Sequence, residues 1–248
     1  MDEYVEFVYI DDIPAFADIK TSIKVLEKGV YRTESGKVQQ FSAEEMKPAS
    51  LSFKIACKDP YWTKISRIKA KWYIKFVLNG GNPVTGVPNK NWRGIRPVHC
   101  REAVALFLNI GYMCTLENFQ KRISTFQGVL LDNNKNAVDT SKIISRLENL
   151  SGFDIGLVYA GNGVAGLGGG RTWGVYQKSF LYHYENSGGC CTTIFHELGH
   201  CLGYSHNSTM TYGQWASGCA DVFYKNNIND FPVNSHTILK SRSNPNIY

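Results

Sequence analysis

The sequence predicts a mixed α/β (α+β) domain preceded by a β-rich N-terminal region. In the second part of the 248-residue chain, segments with helical spacing alternate with short apolar runs that are typical of buried strands. The first part instead contains β-favouring runs, rich in aromatic residues, at residues 4–10, 23–31, 51–56 and 68–78. A break rich in Gly, Pro and Asn at residues 79–91 separates the two parts.

These patterns predict a domain boundary within the break. We place the N-terminal region at residues 1–85 and the second domain at residues 86–248. If the run at residues 68–78 is already the first strand of the second domain's sheet, the boundary moves to near residue 60. The sequence does not indicate the role of the N-terminal region. The region could be a small sandwich that binds protein or glycan, or a packing extension with no function of its own.

The second domain begins with helices and then changes to strands. Its helical segments are residues 101–110, 116–126 and 141–150. A glycine-bounded apolar run at residues 153–160 predicts a buried strand. A glycine-rich segment at residues 161–170 then leads into a further strand. No lysine and serine or threonine follow these glycines in the pattern of a phosphate-binding loop, which argues against that function.

A helix predicted to begin near Cys191 carries the most informative residues. His196 and His200 are four positions apart, so both imidazoles project from one face of that helix. Gly203 can end the helix in a left-handed conformation, which would turn the chain and bring His206 to the same metal ion. Three histidine ligands leave one position open, which is typical of a catalytic zinc site.

Although this motif has few defined residues, it would rarely arise by chance. With 6 His and 23 Gly among 248 residues, three His, one Glu and one Gly at this spacing have about one chance in 10⁵ of arising at random. The shorter H-E-x-x-H pattern alone has roughly one chance in 200. The extended motif therefore indicates a metal site rather than a helix that happens to carry histidines.

The pattern H-E-x-x-H-x-x-G-x-x-H at residues 196–206 resembles the zinc signature of the metzincin metallopeptidases. The resemblance implies a twisted sheet over the zinc helix and a methionine turn below the metal, to which Met210 corresponds. Met-x-Tyr resembles the version in astacin-like and serralysin-like members, which places Tyr212 beside the metal, where it can bind the ion or steady the oxyanion. Only residues 207–209 separate His206 from Met210, a much shorter connection than in those families, so the chain resembles a divergent metzincin.

The ligand set predicts the reaction. Zn²⁺ lowers the pKa of a bound water to about 7. Glu197 would take the proton from this water as general base and pass it to the leaving amine. The sequence therefore predicts a zinc-dependent endopeptidase with one catalytic Zn²⁺ and a protein or peptide substrate. The alternatives are a zinc amidohydrolase that acts on a non-protein amide and an inactive zinc-containing binding module.

The glycine-rich segment predicts where substrate binds. By resemblance it forms the upper rim of the cleft, where an edge strand pairs with an extended peptide through backbone hydrogen bonds. The candidate substrate contacts are Gly168, Gly169, Gly170, Arg171, Thr172 and Trp173.

Composition and charge limit which binding partners and which cellular location we expect. The net charge is +6, and the basic residues between positions 64 and 75 are typical of a solvated strand face, so no nucleic acid is expected. No apolar run is long enough to cross a membrane, and nothing indicates the oligomeric state. The seven cysteines fit either disulfides or buried reduced thiols. No signal peptide precedes Asp2, so we expect an intracellular protein or a mature fragment, and the resemblance favours the secreted, extracellular fragment.

Overall fold

The structure is a computed structural model that describes part of the chain. It describes the backbone of residues 28–32 and 38–42, and it describes residues 60–77, 90–159, 161, 163–181, 183 and 190–234. The chain divides into two compact units, Met1–Ala56 and Cys57–Tyr248. The motif histidines His196, His200 and His206 all belong to the second unit.

The first unit contains one described pair of strands. Strand β1 (Lys28–Arg32) pairs antiparallel with β2 (Val38–Ser42). Strand β1 overlaps the β-favouring run at residues 23–31, so part of that prediction is confirmed. The runs at residues 4–10 and 51–56 lie outside the described residues, as do residues 79–89 of the predicted break.

The second unit contains a mixed five-stranded sheet. Its strands are β3 (Tyr73–Phe76), β4 (Trp92–Arg93), β5 (Gly152–Val158), β6 (Gly166–Gly169) and β7 (Thr172–Tyr176). Strand β5 pairs parallel with β3 and β7 and antiparallel with β4, and all its residues are buried. Strand β6 pairs antiparallel with β7 and forms one end of the strand order. The buried strand predicted at residues 153–160 is thus confirmed as β5.

Strand β3 is shorter than the run at residues 68–78 that predicted it. Ile68 and Trp72 precede the strand and pack against the hydrophobic core. The Trp72 indole Nε1 donates a hydrogen bond to the Leu147 carbonyl at 2.9 Å. The ladder starts at Tyr73 because its partner there, Gly152, is the first residue of β5. Because β3 pairs with β5, residues 73–76 belong to the second unit's sheet.

Seven α-helices lie within the described residues. They are α1 (Pro60–Ile65), α2 (Pro97–Cys114), α3 (Glu117–Ser124), α4 (Ile143–Glu148), α5 (Gln177–Leu181), α6 (Cys190–Cys201) and α7 (Asp221–Asn227). Helix α2 begins before the predicted residue 101, because Pro97 occupies a first-turn position that needs no backbone donor. The predicted helices at residues 116–126 and 141–150 are confirmed as α3 and α4. The predicted mixed α/β class is therefore confirmed, and none of the described helices is long and apolar enough to span a membrane.

Helix α6 lies between the sheet and the chain that follows it. Its predicted apolar residues are all buried, namely Ile194, Phe195, Leu198 and Leu202. One side of the helix packs on β6 and β7, and another packs on the π-helical turn Gln214–Ala220 and on α7. A Cβ added at Gly199 would come within 2.5 Å of the Met210 carbonyl oxygen, so the helix and the methionine segment are in close contact there.

Candidate metal centre

The three motif histidines converge on one point. His196 and His200 lie on α6, and the Nε2 atom of His196 is 3.1 Å from that of His200. The Nε2 atom of His206 lies 3.3 Å from that of His196. The ligand atoms of the group all lie within 4.8 Å of one another, so the three residues could hold a metal ion.

The end of helix α6 brings the third histidine to the other two. Gly203 has φ of +89°, the left-handed conformation predicted for it. The backbone N–H of Gly203 donates to the His200 carbonyl at 2.9 Å, and that of Tyr204 donates to the Gly199 carbonyl at 3.1 Å. These bonds close the helix and reverse the chain, so His206 faces the ring nitrogens of the helical pair.

Backbone carbonyls fix the rings of the two helical histidines. Nδ1 of His196 is 2.6 Å from the Thr211 carbonyl oxygen, and Nδ1 of His200 is 2.7 Å from that of Tyr204. A carbonyl only accepts, so each Nδ1 carries the hydrogen and each Nε2 of a neutral ring presents a bare lone pair. Burial lowers the pKa of His196 to about 4, and burial lowers the pKa of His200 as well.

These nitrogens fit a metal ion better than they fit one another. Two bare lone pairs at 3.1 Å repel and cannot form a hydrogen bond, so a cation between them would remove the repulsion. Zn–N distances of about 2.0–2.1 Å in a tetrahedral site place two ligand nitrogens about 3.4 Å apart. The observed separations of 3.1 and 3.3 Å are close to that value. The donor set and its spacing therefore fit a divalent metal that prefers imidazole.

A buried carboxylate lies beside the histidines. Glu197 is 3% exposed, and its Oε1 atom is 3.9 Å from Nε2 of His196. Within the described part of the chain no group donates a hydrogen bond to this carboxylate, and burial raises its pKa to about 8. The space for it is provided by glycines, because a Cβ at Gly166 would lie 2.2 Å from Oε1, and one at Gly168 would lie 2.8 Å from Oε2.

The residues after His206 complete the centre. Met210 is fully buried below α6, and the next residue, Thr211, supplies the carbonyl that orients His196. The Tyr212 ring is 56% exposed, with its centroid 4.5 Å from that of His196 and 4.8 Å from that of His206. Tyr212 thus lies against two histidine rings, whereas Met210 contacts α6 at Gly199 through its backbone.

The candidate substrate residues separate into two groups. Gly168 and Gly169 belong to strand β6 beside Glu197, whereas Gly170 and Arg171 form the turn between β6 and β7. The Arg171 guanidinium pairs with the Asp154 carboxylate at 3.2 Å.

The other two candidates begin strand β7. Thr172 is its first residue and is half-buried. Trp173 is fully buried in the core, where its ring packs against those of Phe107 and Phe180. Of the six candidates, Gly168 is therefore the one that lies against Glu197.

The sequence does not predict two features of the centre. The carbonyls of Tyr204 and Thr211 orient ligand rings, but a backbone carbonyl is present at every residue and gives no side-chain signal. The sequence likewise assigns no role to Gly166, although this residue lies in the glycine-rich segment.

Comparisons with known proteins give no relative. No protein-family model matches the chain, and neither a curated protein nor a solved structure matches it. The function must therefore be argued from the geometry of the centre.

Proposed function

We propose that this chain is a divergent, metzincin-like zinc endopeptidase in which His196, His200 and His206 hold one Zn²⁺ and Glu197 is the general base. The observation that carries the proposal is the convergence of three imidazole Nε2 atoms beside a buried carboxylate. Histidines retained only for packing would have no reason to point bare lone pairs at one another.

The choice of zinc follows from the donor set. Three imidazoles with a further position open are the arrangement of catalytic zinc sites, whereas structural sites are closed by four protein ligands. When bound, zinc would activate a water molecule and polarise the carbonyl of the substrate. Among the described residues, no fourth histidine, cysteine, aspartate or glutamate joins the group, so a position is left for the water molecule.

The chain's own residues supply the proton transfers. Glu197 is next to the helical ligands, and no described group competes for its oxygens. Glu197 acts in its ionised form, which a neighbouring Zn²⁺ would favour although burial alone raises the pKa of the carboxyl group to about 8. In that form Glu197 accepts a proton from the attacking water and returns that proton to the leaving amine, so no covalent intermediate with the protein is needed. Tyr212 lies beside two ligand rings and donates a hydrogen bond to the carbonyl oxygen as that oxygen gains charge.

The edge of the sheet supports a peptide as the substrate. Strand β6 pairs with β7 on one side, and among the described strands none pairs with its other side. An extended peptide can add to such an edge through backbone hydrogen bonds. Since three of the four residues of β6 are glycine, few side chains stand in the way of that addition.

A peptide library tests the proposal. The purified protein is incubated with proteome-derived peptides, with and without a zinc chelator, and the products are read by mass spectrometry. We expect internal cuts that the chelator abolishes, that disappear in Glu197→Gln, and that persist in the control Glu117→Gln at an exposed position of α3.

The other outcomes would overturn the proposal. Cuts that persist in zinc-loaded Glu197→Gln would remove Glu197 from the mechanism. Absence of bound zinc after loading would remove the metal site. Bound zinc without any peptide cleavage would exclude a general endopeptidase and favour a non-protein amide as the substrate.

A further inference from the structure

A surface loop contacts the segment that carries the third histidine. We call residues 129–136 the bracing loop and residues 203–210 the ligand turn. The two segments are about 70 to 80 positions apart in sequence, yet side chains of each bond to the backbone of the other. The contacts lie on both sides of His206.

On the helix side of His206, the contact is made by Asn133. Its Oδ1 accepts a hydrogen bond from the backbone N–H of Ser205 at 2.7 Å. Its Nδ2 donates to the carbonyl of Gly203 at 3.0 Å. One side-chain amide therefore fixes the backbone that leads from α6 to the histidine.

On the far side of His206, hydroxyl groups make the contact. The Thr209 Oγ1 accepts from the Leu131 backbone N–H at 2.7 Å and donates to the Val129 carbonyl at 2.8 Å. The Ser208 hydroxyl donates to the Leu131 carbonyl at 2.6 Å. The short connection between His206 and Met210 is thus joined to the bracing loop.

The bracing loop has internal bonds that give it a defined shape. Oδ1 of Asp132 accepts from the backbone N–H groups of Asn134 at 2.8 Å and Asn136 at 2.9 Å. Leu131 and Ala137 form an antiparallel bridge at the base of the loop. These bonds allow the loop to act as a fixed support for the ligand turn.

His206 has more need of such support than the other ligands. Carbonyls orient the rings of His196 and His200 through Nδ1, but no described residue bonds to Nδ1 of His206. The His206 side chain is exposed, and its ring is flanked by Tyr212. Its position therefore depends on the backbone that carries it.

We propose that the bracing loop positions His206 for metal binding and that Asn133 and Thr209 are positioning residues of the centre. The inference rests on the proposed zinc site. The bonds of the bracing loop fix the backbone of a ligand whose Nδ1 has no partner among the described residues, and outer partners of metal ligands affect metal affinity by about 10- to 100-fold. They also hold two of the three residues between His206 and Met210.

Metal binding to matched variants tests this inference. Thr209→Val keeps the side-chain shape and loses the hydroxyl, whereas Thr209→Ser keeps the hydroxyl. Asn133→Ala removes both amide contacts at an exposed position, and Asn134→Ala is its control in the same loop, because only the backbone of Asn134 bonds to other described residues. The Kd for Zn²⁺ is measured by competition with a chelator, together with the visible spectrum of the Co²⁺ form and the unfolding midpoint of the metal-free protein.

We expect Thr209→Val and Asn133→Ala to weaken Zn²⁺ binding by about tenfold or more and to alter the Co²⁺ spectrum. Thr209→Ser and Asn134→Ala should bind like the wild type. If Thr209→Val fails to fold, the exposed Asn133 pair decides the result alone. Unchanged affinity and spectrum in a folded Asn133→Ala would overturn the inference while leaving the zinc site intact. A wild-type protein that binds no metal would overturn both proposals.

Discussion

The carboxylate of Glu197 lies directly against the backbone of Gly166, where an added Cβ would come within 2.2 Å of Oε1. An edge strand of the sheet thus covers the side chain to which the proposed mechanism assigns the proton transfers. A side chain at Gly166 and the observed position of the carboxylate exclude each other. Gly166 therefore has a steric role that is separate from any role in binding substrate.

Gly166→Ala should displace the Glu197 carboxylate. We expect a loss of stability of about 1–3 kcal/mol from overpacking, together with a large loss of peptidase activity and retained zinc. In the Glu197→Ala background the colliding atoms are gone, so the same substitution should cost less free energy of unfolding. Denaturant unfolding of the four proteins in this double-mutant cycle measures the difference. Equal costs in both backgrounds would show that the contact does not constrain Glu197.

His206→Ala should separate metal binding from folding. The His206 side chain is exposed, so we expect the metal-free variant to unfold at the wild-type temperature. Zinc at 100 times its Kd should stabilise the wild type by about 2.7 kcal/mol and the variant by much less. Thermal unfolding with zinc and with chelator measures both effects. Asn207→Ala, at the exposed neighbouring position, is the control, and equal zinc stabilisation of His206→Ala would remove His206 from the ligand set.

Tyr212→Phe should lower turnover without releasing the metal. The ring contacts with His196 and His206 are kept, whereas the hydroxyl that we assign to the carbonyl oxygen is lost. We expect kcat to fall by about 10²-fold with little change in KM, since this hydrogen bond forms only as charge develops. Steady-state kinetics with a peptide found in the library, alongside a zinc determination, provides the measurement. A variant with wild-type kcat would place the oxyanion contact elsewhere.

The thiol of Cys219 should make stability depend on pH in the alkaline range. Burial raises its pKa from 9.0 to about 11, so the folded protein keeps a proton that the unfolded chain releases. The unfolded state then binds fewer protons, and the free energy of unfolding falls as pH rises from about 9 to about 11. Urea unfolding across this range should show a shallower decline for Cys219→Ala than for the wild type. Parallel curves for the two proteins would contradict the assignment.

The sequence was most informative where local spacing decides geometry. Two histidines four positions apart on a helix must share a face, and Gly203 marks the point at which the chain can reverse. Both features require only a few neighbouring residues, so their placement was predictable. The segment at residues 68–78 shows the limit, because its strand begins only at Tyr73, where the distant partner strand β5 begins at Gly152.

The hydrogen bonds that position His206 were not predictable, because the sequence does not show which distant segments of the chain meet. Asn133 and Thr209 are ordinary loop residues in sequence, and their function depends on contacts between segments far apart in the chain. The sequence predicts a strand after the glycine-rich segment. In the structure, three glycines of the segment also lie within a strand of their own, the outer strand β6. There the Glu197 carboxylate occupies the space that side chains at Gly166 and Gly168 would need.

The distribution of the ligands between a helix and a turn determines how an ion would leave. His196 and His200 stay together as long as α6 is folded, whereas His206 can move away when the ligand turn opens. Such local openings cost less free energy than global unfolding and occur far more often. The lifetime of the bound ion would therefore follow the opening rate of the turn, and the protein could exchange its metal many times while the helix and sheet remain intact.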